Sequence, residues 1–294
     1  ASALPLLARA RKAIVVGDPM QLRFVPQLGR AAEHALMDAA GLPKAGRASI
    51  AQSINSLFDF SARRQTAKRM FLADQFRSSP PIVDYLNADF YAGRLVGRRS
   101  HEEFKTPTGY RPGLMWEDIT GHAVRNDNGT INIAEVDKII GVLRRIATDT
   151  AFTGSVGIIS PFNSQVAKLQ SSISTAVSNS TASRLGIKVA TVDKFQGAEA
   201  DIILFSLVLA GKPPKTAETF LRNEKRRLNV AISRARALCI VVGDLAWAQA
   251  CGIPHIQFLA RRATTPWSPF RPEQFDSVWE RRFDNAMRTR GLEP

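Results

Sequence analysis

Short apolar runs rich in β-branched residues alternate along the chain with stretches of helical periodicity. The helical stretches include residues 134–147 and 163–174, where apolar residues recur every three or four positions. Strands that are apolar throughout are typical of a parallel sheet covered by helices on both faces. The pattern therefore predicts a doubly wound α/β domain. The runs predicted as buried strands are residues 13–16, 156–160, 189–192, 201–209 and 238–243.

The order of these elements predicts three parts. Residues 1–66 begin with a helix at 4–10 that runs directly into the first strand, and they continue as helices and loops, which suits the end of a first α/β domain. Residues 67–250 contain the remaining strands and form a second domain. Residues 251–294 begin as a proline-punctuated linker and end in a helix at 275–290, which we interpret as the start of a further domain.

The chain is strongly basic, with 40 Lys and Arg against 26 Asp and Glu and a formal net charge of +14. Such a charge favours polyanionic partners, because lysines and arginines that face phosphates release condensed counterions. An arginine-rich surface without a partner is the alternative. No apolar run approaches the ~20 residues of a membrane helix and no signal peptide is present, so we expect a cytoplasmic protein. Cys239 and Cys251 lack metal-ligand spacing and are interpreted as structural thiols.

Two polar segments follow predicted strands, where open α/β sheets bind their ligands. In the first, Gly17 and Asp18 form a turn before Gln21, whose amide could reach a terminal phosphate or its attacking water. An ordinary turn is the alternative. In the second, Arg77 precedes a helix and could present its planar fork to phosphate oxygens. A surface arginine near a helix start is the alternative.

Two further segments carry candidate chemistry. Between two buried strands, Gly197 permits close backbone approach to a phosphate and Glu199 could hold a ribose hydroxyl, while Thr191 and Asp193 could touch a nucleic-acid backbone. A plain loop is the alternative. Residues 226–236 carry an apolar stripe that leaves two arginines together on another helix face, and a solvated basic face is the alternative. The stripe is Leu228, Ala231, Ile232 and Ala235, and the arginines are Arg227 and Arg234.

Together and in this order, these segments resemble the conserved motifs of superfamily 1 helicases, in the branch of the RNA-decay surveillance helicases and their bacterial DNA-acting relatives. Residues 17–22 resemble motif III, and residues 75–77 resemble the Gln-Tyr-Arg of motif IV with phenylalanine in place of tyrosine. Residues 191–199 resemble motif V and residues 227–236 resemble motif VI. Residues 157–165 are similar to the segment between motifs IV and V in this branch. The resemblance covers roughly residues 1–245.

The resemblance implies two RecA-like domains with ATP between them, and it makes residues 1–66 the end of the first domain and residues 67–250 the second. The first domain of the family supplies the phosphate loop and an Asp-Glu pair for Mg²⁺. The resemblance also implies that Arg234 is the arginine finger, that Arg77 is a second γ-phosphate contact, and that Gln21 is the sensor that links the phosphate to nucleic-acid binding. The implied nucleotide-binding residues are Gly17, Asp18, Gln196, Gly197, Glu199 and Arg227. The implied nucleic-acid contacts are Pro161, Phe162, Thr191, Asp193 and Lys194.

The sequence also departs from the family. It contains no Gly-x-x-x-x-Gly-Lys-Ser/Thr and no acidic motif. We therefore expect an inactive half of an ATP-driven helicase or translocase, cut from a longer protein. A degenerate motor is the alternative to a fragment, and a non-catalytic nucleic-acid-binding module that lost its motor half is the alternative function. A different P-loop-type enzyme such as a kinase is disfavoured. Residues 275–283 resemble the opening helix of very-short-patch-repair-like nucleases, with Glu280 as its acidic residue, which favours DNA over RNA; a simple amphipathic helix is the alternative.

Overall fold

The computed structural model describes residues 9–22, 28–63, 68–126 and 129–267. Most of the helix predicted at 4–10 lies outside these ranges, as does the whole nuclease-like segment with Glu280. In chain order the elements are α1 (Arg30–Ala39), α2 (Arg47–Ile50), α3 (Leu57–Ala62), β1 (Asp74–Gln75), α4 (Pro80–Leu86) with a π-helical turn (Asn87–Tyr91), β2 (Val96–Gly97), a 3₁₀ turn (His101–Glu103), β3 (Gly113–Asp118), β4 (Val124–Asn126), β5 (Gly129–Ile131), α5 (Ile133–Thr148), β6 (Val156–Ser160), α6 (Asn163–Ala176), α7 (Asn179–Arg184), β7 (Lys188–Thr191), α8 (Val192–Phe195), β8 (Ala200–Ser206), α9 (Lys215–Asn223), α10 (Lys225–Ile232), β9 (Ala235–Gly243), α11 (Leu245–Ala250) and α12 (Pro254–Thr264).

Five of these strands form one parallel sheet in the order β3-β9-β8-β6-β7. Each central strand pairs in register with its neighbours, as Ile158 does with Leu204 and Ile203 with Cys239. Every residue of β6 is buried, as expected for a strand covered on both faces. Helices lie on both sides of the sheet, which confirms the predicted doubly wound, RecA-like α/β fold.

The alternation of side chains along the strands divides the interior into two cores. Along β8, Ile203 and Phe205 pack into one core, and Ile202 and Leu204 pack into the other. The first core also contains Leu259, which α12 contributes although it lies in the predicted linker after residue 250. Each fully buried side chain of this size contributes roughly 1.5–3 kcal/mol of transfer free energy. The boundaries predicted after residues 66 and 250 stay predictions.

The strand predicted at residues 13–16 does not form. Ile14 is 93% exposed and Val16 is 83% exposed, and no described strand pairs with them. A β-strand needs a neighbouring backbone to complete its hydrogen bonds, and the described residues supply none here. The following helices α1 to α3 agree with the helices and loops predicted to follow this segment up to residue 66, as far as those residues are described. None of the helices among the described residues is long and apolar enough to cross a bilayer.

The sequence pattern also missed an edge strand. β3 pairs with β9 along six residues, from Gly113 opposite Leu238 to Asp118 opposite Gly243. Its burial is only partial after the first residue, and it ends in Glu117 and Asp118. A strand with one neighbour and mixed polarity lacks the continuous apolar run that marked the other strands.

Candidate nucleotide and strand-binding edges

The amino edge of the sheet brings together arginines that are far apart in sequence. Glu199 directly precedes β8 and Arg234 directly precedes β9, where the Ala200 N–H donates to the Arg234 carbonyl at 3.1 Å. The segment after β1 docks on the same edge, because the Ser79 N–H donates to the Arg236 carbonyl at 2.7 Å. This docking carries Arg77 to Glu199.

Glu199 is the centre of this arginine cluster. Its carboxylate accepts from the Arg77 Nε at 2.5 Å and from the Arg236 Nε at 3.0 Å. Arg236 also lies 3.6 Å from Asp201. The hydrogen bond from Arg236, followed by that from Arg77, holds the pKa of Glu199 below its usual range. Glu199 is therefore an ionised carboxylate that fixes two guanidinium groups beside each other.

Arg234 lies in the turn between α10 and β9 with 4% of its surface exposed. Its guanidinium donates from Nε to the Val230 carbonyl at 3.1 Å and from Nη2 to the Ser233 hydroxyl at 3.0 Å. Burial, and then the nearby charge of Arg77, lower the pKa of Arg234. The expectation that one helix carries both arginines is wrong at Arg234, because α10 ends at Ile232.

The loop of residues 17–22 lies next to this cluster. The Asp18 carboxylate accepts from the Met20 N–H at 2.8 Å, from the Gln21 side-chain amide at 3.1 Å and from the Tyr91 hydroxyl at 2.5 Å. Asp18 and Tyr91 are close enough to Arg234 to favour its charged form. A cavity of about 270 Å³ separates the loop from Gln196.

Two glycines lie at this cavity: Gly17 lines it, and Gly197 directly follows the lining residue Gln196. Gly197 follows Gln196 with a left-handed φ of 86°, which favours glycine, and a Cβ there would meet no atom within 4 Å. At Gly17, a Cβ would lie 2.5 Å from the ring of Phe58. Gly197 thus leaves open backbone beside the arginine cluster, while Gly17 allows the loop to pack closely on α3.

The carboxyl edge of the sheet carries a different set of candidate residues. Pro161 and Phe162 follow β6, Thr191 ends β7, and Asp193 and Lys194 lie in α8. Thr191 is buried, and its hydroxyl caps α8 by accepting from the Lys194 N–H at 3.4 Å. The residues predicted to contact nucleic acid therefore lie close together, although the Thr191 hydroxyl already has a hydrogen-bond partner.

Arg227 lies with the carboxyl-edge residues, near the start of α10. It forms ion pairs with Asp193 and with Glu224, and its guanidinium lies 4.9 Å from the centre of the Phe220 ring. The Phe220 ring is also 5.6 Å from that of Phe162. Phe220 carries no sequence signal, because it is a single aromatic residue in a short helix that also buries Ala217 and Leu221.

The expectation that the site residues follow the carboxyl ends of strands is wrong for Glu199 and Arg234, which directly precede β8 and β9. Glu199 lies at the amino edge because the chain crosses from β7 to β8 through α8 and returns to that edge before β8 begins, and Arg77 reaches the same edge by its hydrogen bond to Glu199. Residues of one sequence segment, such as Thr191 and Glu199, thereby fall on opposite edges of the sheet. The arrangement provides one cationic cluster and one mixed aromatic and polar surface.

Comparison with known proteins adds the family. A family profile described as "AAA domain" matches residues 54–246. Helicase sen1 of Schizosaccharomyces pombe is 28% identical over 253 residues, which cover 82% of this chain and 14% of that protein. The 5'-3' DNA helicase ZGRF1 of Mus musculus is 30% identical over 247 residues, which cover 83% of this chain and 12% of that protein.

Two further likenesses are of the same kind. Regulator of nonsense transcripts 1 of Dictyostelium discoideum is 28% identical over 249 residues, which cover 82% of this chain and 17% of that protein. The C-terminal domain of a possible DNA helicase from Lactobacillus plantarum overlaps 58% of this chain and 88% of its own, with 15% identity and a TM-score of 0.35. The chain spans less than a third of the length of the curated relatives it matches. Because the AAA-domain profile covers more than half of the sequence, the chain belongs to that family, as a helicase-like domain of superfamily 1.

Proposed function

We propose that this chain forms the second motor domain of an ATP-driven superfamily 1 helicase or translocase. The observation that carries the proposal is the arginine cluster at the amino edge, where Arg77 and Arg236 share Glu199 next to Arg234. Arginine forks in this number suit the oxygens of a triphosphate. Gln21 lines the neighbouring cavity, and Gly197 directly follows Gln196, which also lines it; both positions suit the roles proposed for them at the nucleotide.

Each arginine has a separate role in this proposal. Arg77 is 40% exposed and uses only its Nε for Glu199, and its Nη groups have no hydrogen-bond partner among the described residues, which suits contact with a phosphate. Arg234 is held by carbonyl and hydroxyl oxygens, and it exchanges them for phosphate oxygens when charge develops there. Such an arginine finger is typically worth about 10³ to 10⁵ in rate. Glu199 keeps the cluster together when no anion is present.

Magnesium would offset phosphate charge during the reaction. The described residues contain no group of three His, Cys, Asp or Glu side chains able to hold a metal ion. The arginine edge therefore does not fit a magnesium site, and we assign the metal ligands and the phosphate loop to the remainder of a first motor domain, of which residues 1–66 are the proposed end. This chain alone should hydrolyse ATP no faster than a buffer control, because Arg234 then has no positioned phosphate to act upon.

The carboxyl edge is the proposed contact for a single strand, with DNA favoured. The Phe162 and Phe220 rings offer stacking surface for bases, Arg227 adds positive charge beside Phe220, and Lys194 is an exposed cation on α8. With a net charge of +14, binding should weaken steeply as salt rises. A non-catalytic nucleic-acid-binding module would share this edge, but it would not need the arginines at the opposite edge.

The proposal is tested by two matched arginine variants in a protein that carries this chain after its phosphate-loop domain. Arg77 and Arg98 each donate from Nε to one carboxylate, at 2.5 and 2.6 Å, and both are partly exposed. We expect Arg77→Ala to lower the ATPase kcat by about tenfold or more, and Arg98→Ala to leave it within about twofold. Equal activity of the two variants would contradict the proposal and favour the non-catalytic module.

A further inference from the structure

Tyr91 joins the loop of residues 17–22 to α10. It is the last residue of the π-helical turn after α4, a type of helix that is rare and often found at functional sites. Its hydroxyl donates to the Asp18 carboxylate at 2.5 Å and accepts from the Asn229 side-chain amide at 3.0 Å. The tyrosine therefore bridges residues that are 73 and 138 positions away in sequence.

The direction of these hydrogen bonds follows from the chemistry of Asn229. Its side chain lies in α10, is fully buried, and places Nδ2 at 2.7 Å from the Met20 carbonyl. A carbonyl can only accept, so the amide nitrogen must face Met20, and the same nitrogen then donates to the Tyr91 hydroxyl. The Tyr91 proton is left for Asp18. The buried Oδ1 of Asn229 has no partner among the described residues, so the hydrogen bonds of Nδ2 to the Met20 carbonyl and the Tyr91 hydroxyl hold the amide group in this orientation.

The bridge continues to Gln21. The Asp18 oxygen that accepts from Tyr91 also accepts from the Gln21 side-chain amide at 3.1 Å. Asn229, Tyr91, Asp18 and Gln21 thus form one continuous hydrogen-bonded chain from α10 to the loop. Burial raises the pKa of the Tyr91 phenol, so it stays a donor throughout the physiological range.

We propose that Tyr91 is a positioning residue that fixes Gln21 relative to Arg234 through Asp18 and Asn229. Arg234 follows α10 by two residues and is held to it through the Val230 carbonyl, so the orientation of α10 sets the position of its guanidinium. The Tyr91 bridge ties the loop to this same helix. The two groups are therefore positioned as one unit, and the catalytic part of this inference rests on the proposed function above.

The chain provides its own controls, because it contains three tyrosines. The hydroxyls of Tyr85 and Tyr110 are buried without a hydrogen-bond partner among the described residues. Tyr85→Phe and Tyr110→Phe therefore remove the same atom as Tyr91→Phe without breaking a hydrogen bond. In this chain, we expect only Tyr91→Phe to shift the Gln21 side-chain amide resonance and to speed hydrogen exchange at Met20 and Gln21, by about threefold to tenfold.

A second variant tests whether the effect of Tyr91→Phe depends on the hydrogen-bonded chain or only on the phenol itself. Asn229→Ala should speed exchange at Met20 and Gln21 as Tyr91→Phe does, and the double variant should exceed neither by much, because both substitutions break one chain of bonds. Independent, additive effects, or an unchanged Gln21 resonance in Tyr91→Phe, would overturn the bridge. These readouts need no ATP turnover, so they stand apart from the proposed function.

The catalytic arm uses the protein that carries this chain after its phosphate-loop domain. Tyr91→Phe should lower kcat about threefold to tenfold while the KM for ATP stays within about twofold, and both control variants should match wild type. If the Gln21 resonance shifts but kcat does not change, while Arg77→Ala is impaired, the positioning role is wrong and the proposed function stands. If Arg77→Ala also retains full activity, the proposed function itself fails.

Discussion

Glu135 is the most deeply buried carboxyl group that the candidate sites do not use. It accepts from the Ser206 hydroxyl at 2.5 Å and from the Val208 N–H at 2.7 Å. Val208 has a left-handed φ of 75°, a strained conformation for a β-branched residue, so this hydrogen bond helps to hold the exit of β8. Complete burial raises the pKa of Glu135 from its ordinary 4.5 to about 8.

This burial predicts a dependence of stability on pH. Between 4.5 and about 8 the folded protein keeps a proton on Glu135 that the unfolded chain releases. The stabilisation that comes from this proton is fully present below pH 4.5 and is lost as the pH rises through about 8. The full change is on the order of 5 kcal/mol in unfolding free energy. Glu135→Gln keeps a neutral side chain at all pH values and should flatten this dependence.

The measurement is chemical unfolding of wild type and Glu135→Gln at several pH values across that window. Asp137→Asn is the matched control, because Asp137 lies on the same helix α5 and is exposed. We expect the stability of wild type to fall relative to that of Glu135→Gln as the pH rises, and Asp137→Asn to follow wild type. Parallel curves for wild type and Glu135→Gln would show that the carboxyl is not neutral in the fold.

Some of the site residues could be predicted from the sequence and others could not. Arg77 and Arg234 were predicted to share a phosphate site from the resemblance, and the structure places Arg77 on Glu199, close to Arg234. Arg236 and Tyr91 were not assigned roles, because neither has a sequence spacing that relates it to Glu199 or Asp18. Hydrogen bonds across 37 or 73 residues depend on how strands and turns pack, which local periodicity does not encode.

At the scale of elements, α8 positions the polar residues of the carboxyl edge, which is the proposed contact for nucleic acid. Its four residues begin after Thr191, whose hydroxyl caps the helix, and they carry Asp193 and Lys194. A helix this short has little stability of its own, so its cap and its packing hold it in place. Phe195 anchors the far end in the core.

This arrangement predicts that Thr191 acts on strand binding. Thr191→Ala removes the cap at a cost of about 1 kcal/mol and frays α8, so we expect single-strand affinity to fall about fivefold. Thr191→Ser keeps the hydroxyl and should retain near-normal affinity. Fluorescence-anisotropy titrations of a labelled strand compare the variants. A loss in Thr191→Ser equal to that in Thr191→Ala would rule out the hydroxyl as the cause.

Elements were predicted from sequence where burial is two-sided. The predicted strands at 156–160 and 238–243 correspond to β6 and to most of β9, because both are covered on both faces. β3 was missed because an edge strand shows a mixed pattern, and residues 13–16 were predicted as a strand because their apolar run resembles one. Periodicity reports which residues can be buried, whereas a strand also requires a partner.

At the scale of the whole molecule, the domain separates two kinds of chemistry across its sheet. α10 runs between them, with Arg227 in its first turn and Arg234 just beyond its last. A cavity of about 680 Å³ follows the start of this helix, lined by residues from both sides of the boundary predicted after residue 66, including Leu22, Ser53, Asp193 and Arg227. A movement of α10 would therefore shift Arg227 and Arg234 together. The proposed motor requires such a coupling between phosphate chemistry and nucleic-acid binding.

The central claim is that Arg234 stabilises the charge that develops on the transferred phosphate. Its most direct test is steady-state ATPase activity, measured beside single-strand affinity, in a protein that carries this chain after its phosphate-loop domain. Arg234→Ala is compared with Arg234→Lys, which keeps the charge without the fork, and with Arg145→Ala, which removes an exposed ion pair to Glu117. Thermal unfolding of each variant shows that the fold is retained.

We predict that Arg234→Ala lowers kcat by about 10³-fold or more while strand affinity stays within about twofold, because the arginine acts on charge that appears only during transfer. Arg234→Lys should recover only a small part of the activity, and Arg145→Ala should behave as wild type. A folded Arg234→Ala protein that retains more than about a tenth of the wild-type kcat would contradict the account.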